Sequence, residues 1–195
     1  MPDDAERLRE VIEDQLIRAD LVVTSGGVSV GAYDVVKEAL APVEGQPTLG
    51  EISFRKLRMQ PGKPQGFGLL DGTVPLFALP GNPVSAYLSF ELFVRPAIRV
   101  MLGVEPVQRT VVRAVLTESL TSPEGRRQFA RAKYLAGFAG EPGSVGPVGG
   151  EGSHLVGALA QANALIVVPE QDTALEAGAL VDVVLLDPAP WDGTA

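Results

Sequence analysis

The 195-residue chain has no cysteine and a single histidine, His154. The first absence removes disulfides, thiolate metal ligands and a cysteine nucleophile. The second removes a poly-histidine metal centre and leaves no choice of histidines around which a Ser-His-Asp triad could be built. No apolar run reaches the ~18 residues that a membrane-spanning helix requires. Positive charge is scarce, with 16 Lys and Arg against 24 Asp and Glu and a net charge of −8. Such an acidic chain is a poor partner for nucleic acid or an anionic membrane surface. Its charged start, MPDDAERLRE, does not read as a secretory signal, and the expected location is the cytoplasm.

What positive charge there is lies concentrated. Arg55, Lys56, Arg58 and Lys63 form one window, and Arg126, Arg127, Arg131 and Lys133 form another. Concentrated cations suit a small anion, although the same pattern serves solvated strand faces whose long side chains cover apolar surface. With 22 Gly and 16 Pro, many turns are expected.

Apolar spacing predicts an amphipathic helix over 3–18, capped by Asp3 or Asp4. DLVVT (20–24) reads as a strand buried on both faces, followed by a helix over about 33–41. That alternation points to a doubly wound α/β unit. Residues 51–59 read as one strand and 61–64 as a turn. Residues 65–80 read as a hairpin about Asp71-Gly72, and the helix over 83–102 is disturbed by Pro96 and ended by Gly103. After a linker at 104–108, short β-branched runs separated by turns predict a small all-β unit with one helix near 154–162. The expected organisation is therefore an α/β domain over 1–104 and an all-β domain over 105–195.

Three loops stand out. TSGGVSVGAYD (24–34) joins a strand to a helix, and its glycines would let backbone N–H groups approach an anion. Ser25, Gly26, Gly27 and Ser29 are its candidate contacts, and Asp34 is a candidate ligand for Mg²⁺. The loop is neither a Walker A motif nor a dinucleotide fingerprint, and a tight turn with Asp34 as helix cap competes with the anion reading. MQPGKP (59–64) and LPGNPVS (79–85) each place a glycine between prolines at the end of a predicted strand. Prolines lower the entropy a loop loses on binding, so Lys63 becomes a charge on a stiff turn. Asn82 and Ser85 open a helix.

SGGVSVGAYD, MQPGKP and LPGNPVSA, followed by GRRQFARA and GSHLVGALAQANALIVVPE, resemble in order and spacing the MoeA/gephyrin E-domain family, the molybdopterin molybdenumtransferases. The resemblance covers nearly the whole chain. It implies a three-layer molybdopterin-binding α/β domain followed by a small barrel-like β domain. The implied activity, part of molybdenum cofactor biosynthesis, binds adenylated molybdopterin, releases AMP in a molybdate- and Mg²⁺-dependent step, and inserts molybdenum at the pterin dithiolene. The resemblance makes Asp34, Lys56 and Lys63 catalytic candidates. It adds Gln60, Pro64, Asn82, Ser85, Arg131 and Ser153 as substrate contacts, and Asp34 with Asp3 or Asp4 as metal ligands. It implies small anionic substrates, a homodimer, and molybdopterin adenylyltransferase and molybdoenzymes as protein partners. A silent molybdopterin-binding or scaffold module is the alternative, as is a molybdopterin adenylyltransferase, which the β domain disfavours.

Two departures matter. Gln60 stands where many family members carry lysine, which implies weaker molybdate affinity unless a neighbour such as Arg58 supplies the charge. Family chains are also about twice as long, with two further domains and an opening βα portion, so the expected chain is an N-terminally shortened one with an exposed sheet edge and partial function.

Overall fold

In the computed structural model, residues 4–28, 34–42, 48–149 and 156–186 are described. The chain forms two compact units. The first comprises Met1–Leu57 and Gly62–Phe90, and the second Arg58–Pro61 and Glu91–Ala195.

The first unit begins with α1 (Ala5–Leu16), whose N-terminus is capped by the Asp4 carboxylate accepting from the Arg7 N–H at 3.1 Å. It continues with β1 (Val22–Ser25) and the short α2 (Val35–Ala39). Strands β2 (Gly50–Lys56), β4 (Pro64–Leu70) and β5 (Val74–Leu79) complete a sheet ordered β1-β5-β4-β2. Only the β1–β5 pair is parallel, so the sheet is mixed. The β4–β5 turn is Asp71-Gly72 as expected, with φ of +46° and +68° and a Thr73 N–H to Leu70 C=O bond of 3.0 Å. Positive φ at both central residues is the hairpin geometry that matches strand twist.

Leu8, Ile12 and Leu16 of α1 and Val36 and Leu40 near α2 cover one sheet face, packing on Val22, Ile52, Phe54, Leu70, Leu76 and Ala78. Each fully buried leucine here contributes about 1.5–3 kcal/mol. The other face carries Gln65, Phe67 and Phe77, and α3 (Pro83–Ser89) meets it through Gln65. These are the three expected layers.

The predicted 83–102 helix is three pieces. A π-helical segment, Phe90–Val94, separates α3 from α4 (Arg95–Met101). Pro96 is the cause: it lacks an N–H, and its ring would strike the carbonyl one turn back, so the backbone widens ahead of it. Gly103, at φ +64°, ends α4: its N–H reaches Val100 C=O at 3.0 Å and the Val104 N–H reaches Arg99 C=O at 2.9 Å.

The second unit holds β3 (Met59–Gln60), β6 (Val111–Leu116), β7 (Leu120–Thr121), β8 (Arg127–Leu135) and β9 (Gly143–Pro147). Then come α5 (Val156–Gln161), β10 (Ala164–Val168), β11 (Ala174–Leu175) and β12 (Leu180–Leu185). The order β10-β12-β6-β9-β8, closed by a β8–β10 pairing, is a five-stranded barrel. Ala114, Ala132 and Ala164 line its interior with Leu116, Val145, Ile166 and Val183, small residues suiting a narrow barrel.

One expectation is corrected. The strand expected over 51–59 stops at Lys56, and Met59–Gln60 instead pair with Arg127–Gln128 of β8 in the second unit. As compact units, α4 and the linker belong with the barrel. β9 carries two glycines, Gly143 and Gly146, within its five residues. A Cβ on Gly143 would lie 2.5 Å from the Tyr134 ring, so the glycine marks a close approach inside a strand rather than a loop.

Candidate functional site

The strand directions bring the three loops of the first unit together. β4 runs antiparallel to both β5 and β2, and β1 runs parallel to β5. The C-terminal ends of β1, β5 and β2 and the start of β4 therefore share one end of the sheet, with Ser25 opposite Leu79 and Lys56 opposite Pro64. Open α/β sheets bind ligands at the C-terminal ends of their parallel strands.

Two of these loops touch. The Gly26 N–H donates to Leu79 C=O at 3.0 Å, and a Cβ on Gly81 would lie 3.1 Å from Gly26 Cα. Gly26 and Gly27 have φ of +94° and +68°, and a Cβ on Gly27 would lie 2.7 Å from Val36 Cγ2. Gly27→Ala is expected to lower stability by about 2 kcal/mol through backbone strain and this clash. Thermal unfolding measures it, and an unchanged midpoint would mean that the loop relaxes around the methyl group.

A hydrogen-bonded chain fixes the third loop. Gln65 Nε2 donates to Gly62 C=O at 2.7 Å and to Ser89 Oγ at 2.5 Å, and Ser89 Oγ donates to Ser85 C=O at 2.7 Å. The Leu57 N–H donates to Lys63 C=O at 2.7 Å. Asn82 Oδ1 caps α3 by accepting from the Val84 and Ser85 N–H groups at 3.1 and 3.2 Å, and from Ser85 Oγ at 3.4 Å. Asn82 and Ser85 thus serve the helix start, and Gln65, not singled out from sequence, ties turn to helix.

On this scaffold the Lys56 and Lys63 side chains are exposed and have no partner among the described residues. Asp34 is 6% exposed. It occupies the α2 cap position but makes no capping bond; its Oδ2 lies 2.9 Å from Lys37 Nζ without hydrogen-bond geometry. Lys37 also lies 5.7 Å from the centre of the Phe54 ring. Among the described residues no group of three or more acids or histidines gathers as a metal site. A single buried carboxylate is nonetheless a fit donor for Mg²⁺, which is commonly held by one or two carboxylates plus substrate phosphates. Asp4 is exposed and used as the α1 cap.

In the second unit, Gln60 Oε1 accepts from Arg126 Nη1 at 3.2 Å. Arg131 lies on β8 at 7% exposure, and burial lowers its pKa from the ordinary arginine value. Gln128 Oε1 and Ser122 Oγ are buried without a hydrogen-bond partner among the described residues. The residue hydrogen-bonded to the Gln60 side chain is therefore Arg126. Ser29, Ser153 and Asp3 lie outside the described residues, as does His154.

Residues 1–100 match the family described as "Probable molybdopterin binding domain". The chain belongs to that family. Residues 113–186 match the MoeA C-terminal region, domain IV, so the molybdopterin-binding-family unit is followed by the β domain expected from the motifs. The chain is 45% identical over 192 residues to "Molybdopterin molybdenumtransferase 2" of Mycobacterium tuberculosis, covering 98% of this chain and 44% of that protein. It is 35% identical over 185 residues to "Molybdopterin molybdenumtransferase" of Staphylococcus aureus, covering 95% of this chain and 42% of that protein. The crystal structure of the molybdopterin biosynthesis MoeA protein from Pyrococcus horikoshii is similar with a TM-score of 0.71 at 32% identity, over 96% of this chain and 42% of that one. The chain thus spans less than half the length of these relatives.

Membership of the molybdopterin-binding family gives the three clustered loops a shared setting, and it agrees with the α/β unit joined to a barrel. The signal for Arg126 was its place in the second basic window. That for Lys37 was its spacing of three from Asp34, which puts both on one side of a helix.

Proposed function

We propose that this chain carries the ligand surface of a molybdopterin molybdenumtransferase, acting in molybdenum cofactor biosynthesis on adenylated molybdopterin and molybdate with release of AMP. The observation that carries this is the meeting of the 25–28, 62–64 and 80–85 loops at one sheet end, with exposed Lys56 and Lys63 and buried Asp34. The relatives' names support the substrate class.

In this reading the backbone N–H groups of Ser25 and Gly27 face the substrate's phosphates, and Gly26, whose N–H is bonded to Leu79 C=O, lets the loop approach closely. Lys63 and Lys56 offset anionic charge, with Pro64 stiffening the turn. Asp34 would hold Mg²⁺, which would supply charge neutralisation for the phosphates. Within the second unit, Arg131, Ser153 and Gln60 are the candidate oxyanion contacts. Binding two anions in fixed orientation is the main catalytic contribution, because the thiolates belong to the pterin. Asp34→Asn is expected to raise the Mg²⁺ concentration needed for half-maximal AMP release several-fold, since one anionic ligand is lost. A superimposable Mg²⁺ titration would remove Asp34 from the metal site.

A cytoplasmic homodimer that exchanges ligands with molybdopterin adenylyltransferase and molybdoenzymes is part of the same proposal. Among the described residues no helix is long and apolar enough to cross a membrane. Val23, Phe67 and Leu69 of the first unit, at 41%, 51% and 41% exposure, support association. Sedimentation measures it.

The deciding experiment gives the 195-residue chain adenylated molybdopterin, molybdate and Mg²⁺ and measures AMP. Molybdate-dependent release supports the enzyme. Binding without release by folded protein would leave the binding module. AMP transfer from ATP onto molybdopterin would instead indicate an adenylyltransferase.

A further inference from the structure

The Gln60 side chain is bonded to a cation 66 positions along the chain. β3 pairs in parallel with the start of β8, Met59 opposite Arg127 and Gln60 opposite Gln128. This register brings the Gln60 side chain to Arg126, whose Nη1 donates to Oε1 at 3.2 Å. A guanidinium can only donate, so this contact requires the glutamine to present its oxygen and leaves its NH₂ group facing away. Neither that NH₂ nor the remaining Arg126 N–H groups have a partner among the described residues.

The neighbouring cation is differently placed. Arg127 is paired with Glu170 at 3.1 Å. The Glu170 carboxyl is held below its ordinary range by its own backbone amide first and then by the Arg127 charge. Arg126 has no acidic partner among the described residues. A neutral acceptor thus orients Arg126 without cancelling its charge, which is what a guanidinium needs in order to receive a second, anionic partner.

We propose that Arg126, positioned by Gln60, binds a tetrahedral oxyanion; under the molybdenumtransferase reading, on which this rests, that anion is molybdate. The neutral residue at position 60 is then an anchor, and the cation is supplied by β8's leading turn.

The test is equilibrium dialysis of the full chain with molybdate alone and, separately, with sulfate alone. Arg126→Met should weaken binding about tenfold or more, and Arg126→Lys should weaken it less. Gln60→Glu should weaken it as Arg126→Met does, because a carboxylate there captures the guanidinium. Gln60→Asn, which keeps an amide but shortens its reach, should fall between. Arg127→Met should stay within about twofold. Unchanged molybdate binding in Arg126→Met and Gln60→Glu would overturn the proposal and leave the molybdate reading standing. Arg126-dependent sulfate binding without molybdate binding would uphold the proposal and remove the molybdenum reading. Binding of neither anion by the unsubstituted chain would overturn the oxyanion site.

Discussion

Lys63→Ala is expected to lower molybdate-dependent AMP release by about 10²- to 10³-fold, the usual effect of removing one preorganised group that stabilises transition-state charge. The fold should be indifferent to the change. The Lys63 side chain is exposed and unpartnered among the described residues, so stability should stay within about 0.5 kcal/mol. The turn is held by backbone and by its neighbours: Leu57 bonds the Lys63 carbonyl, and Gln65 bonds the Gly62 carbonyl. Loss of turnover at constant urea midpoint is therefore the signature sought. Full activity in the variant would remove Lys63 from the site, and a lowered midpoint would assign it to the turn.

Glu91→Ala is expected to destabilise the second unit by about 3 kcal/mol, because removing one member of a buried ion pair leaves the other charge uncompensated. The Glu91 carboxylate, 7% exposed, accepts from Arg109 at 2.8 and 3.2 Å. Arg95 lies farther, at 3.9 Å. Burial first, then the charges of Arg109 and Arg99, lowers the Arg95 pKa, and Glu91 opposes the shift. Without Glu91 these guanidiniums face one another. They also hold the linker: Arg99 donates to the Pro106 and Glu105 carbonyls at 2.6 and 2.8 Å, and Arg95 to Val107 at 3.3 Å. The midpoint of urea unfolding measures the loss. A double-mutant cycle with Arg109→Met should show strong non-additivity. Additive effects would mean that the pair contributes little.

The first unit was largely legible in sequence, because its signals are local. Asp71-Gly72 dictates its own turn, Asn82 and Pro83 open a helix, and the valines of β1 are followed by a glycine pair. What sequence hid was pairing at a distance. Met59 looks like the end of β2 and Gln60 like the start of a turn, since nothing adjacent says that their partner is β8. β9 was hidden because Gly143 and Gly146 are there for close approach, and glycine ordinarily signals a turn. At the candidate site the loops announced themselves by composition. The Gln65–Ser89–Ser85 chain did not, because it joins residues 24 apart whose types are unremarkable alone.

The excursion of β3 also bears on how such a chain can be recombined. A chimera joined near residue 105 would seem to exchange one domain for another. It would in fact set a foreign β8 against the resident Met59 and Gln60, since that two-residue strand pairs with Arg127–Gln128. Residue 60 and the turn before β8 must therefore travel together. A successful graft of the β domain would carry a short patch in the first half of the gene, and a graft without it would inherit a mismatched ladder and an arginine with no anchor.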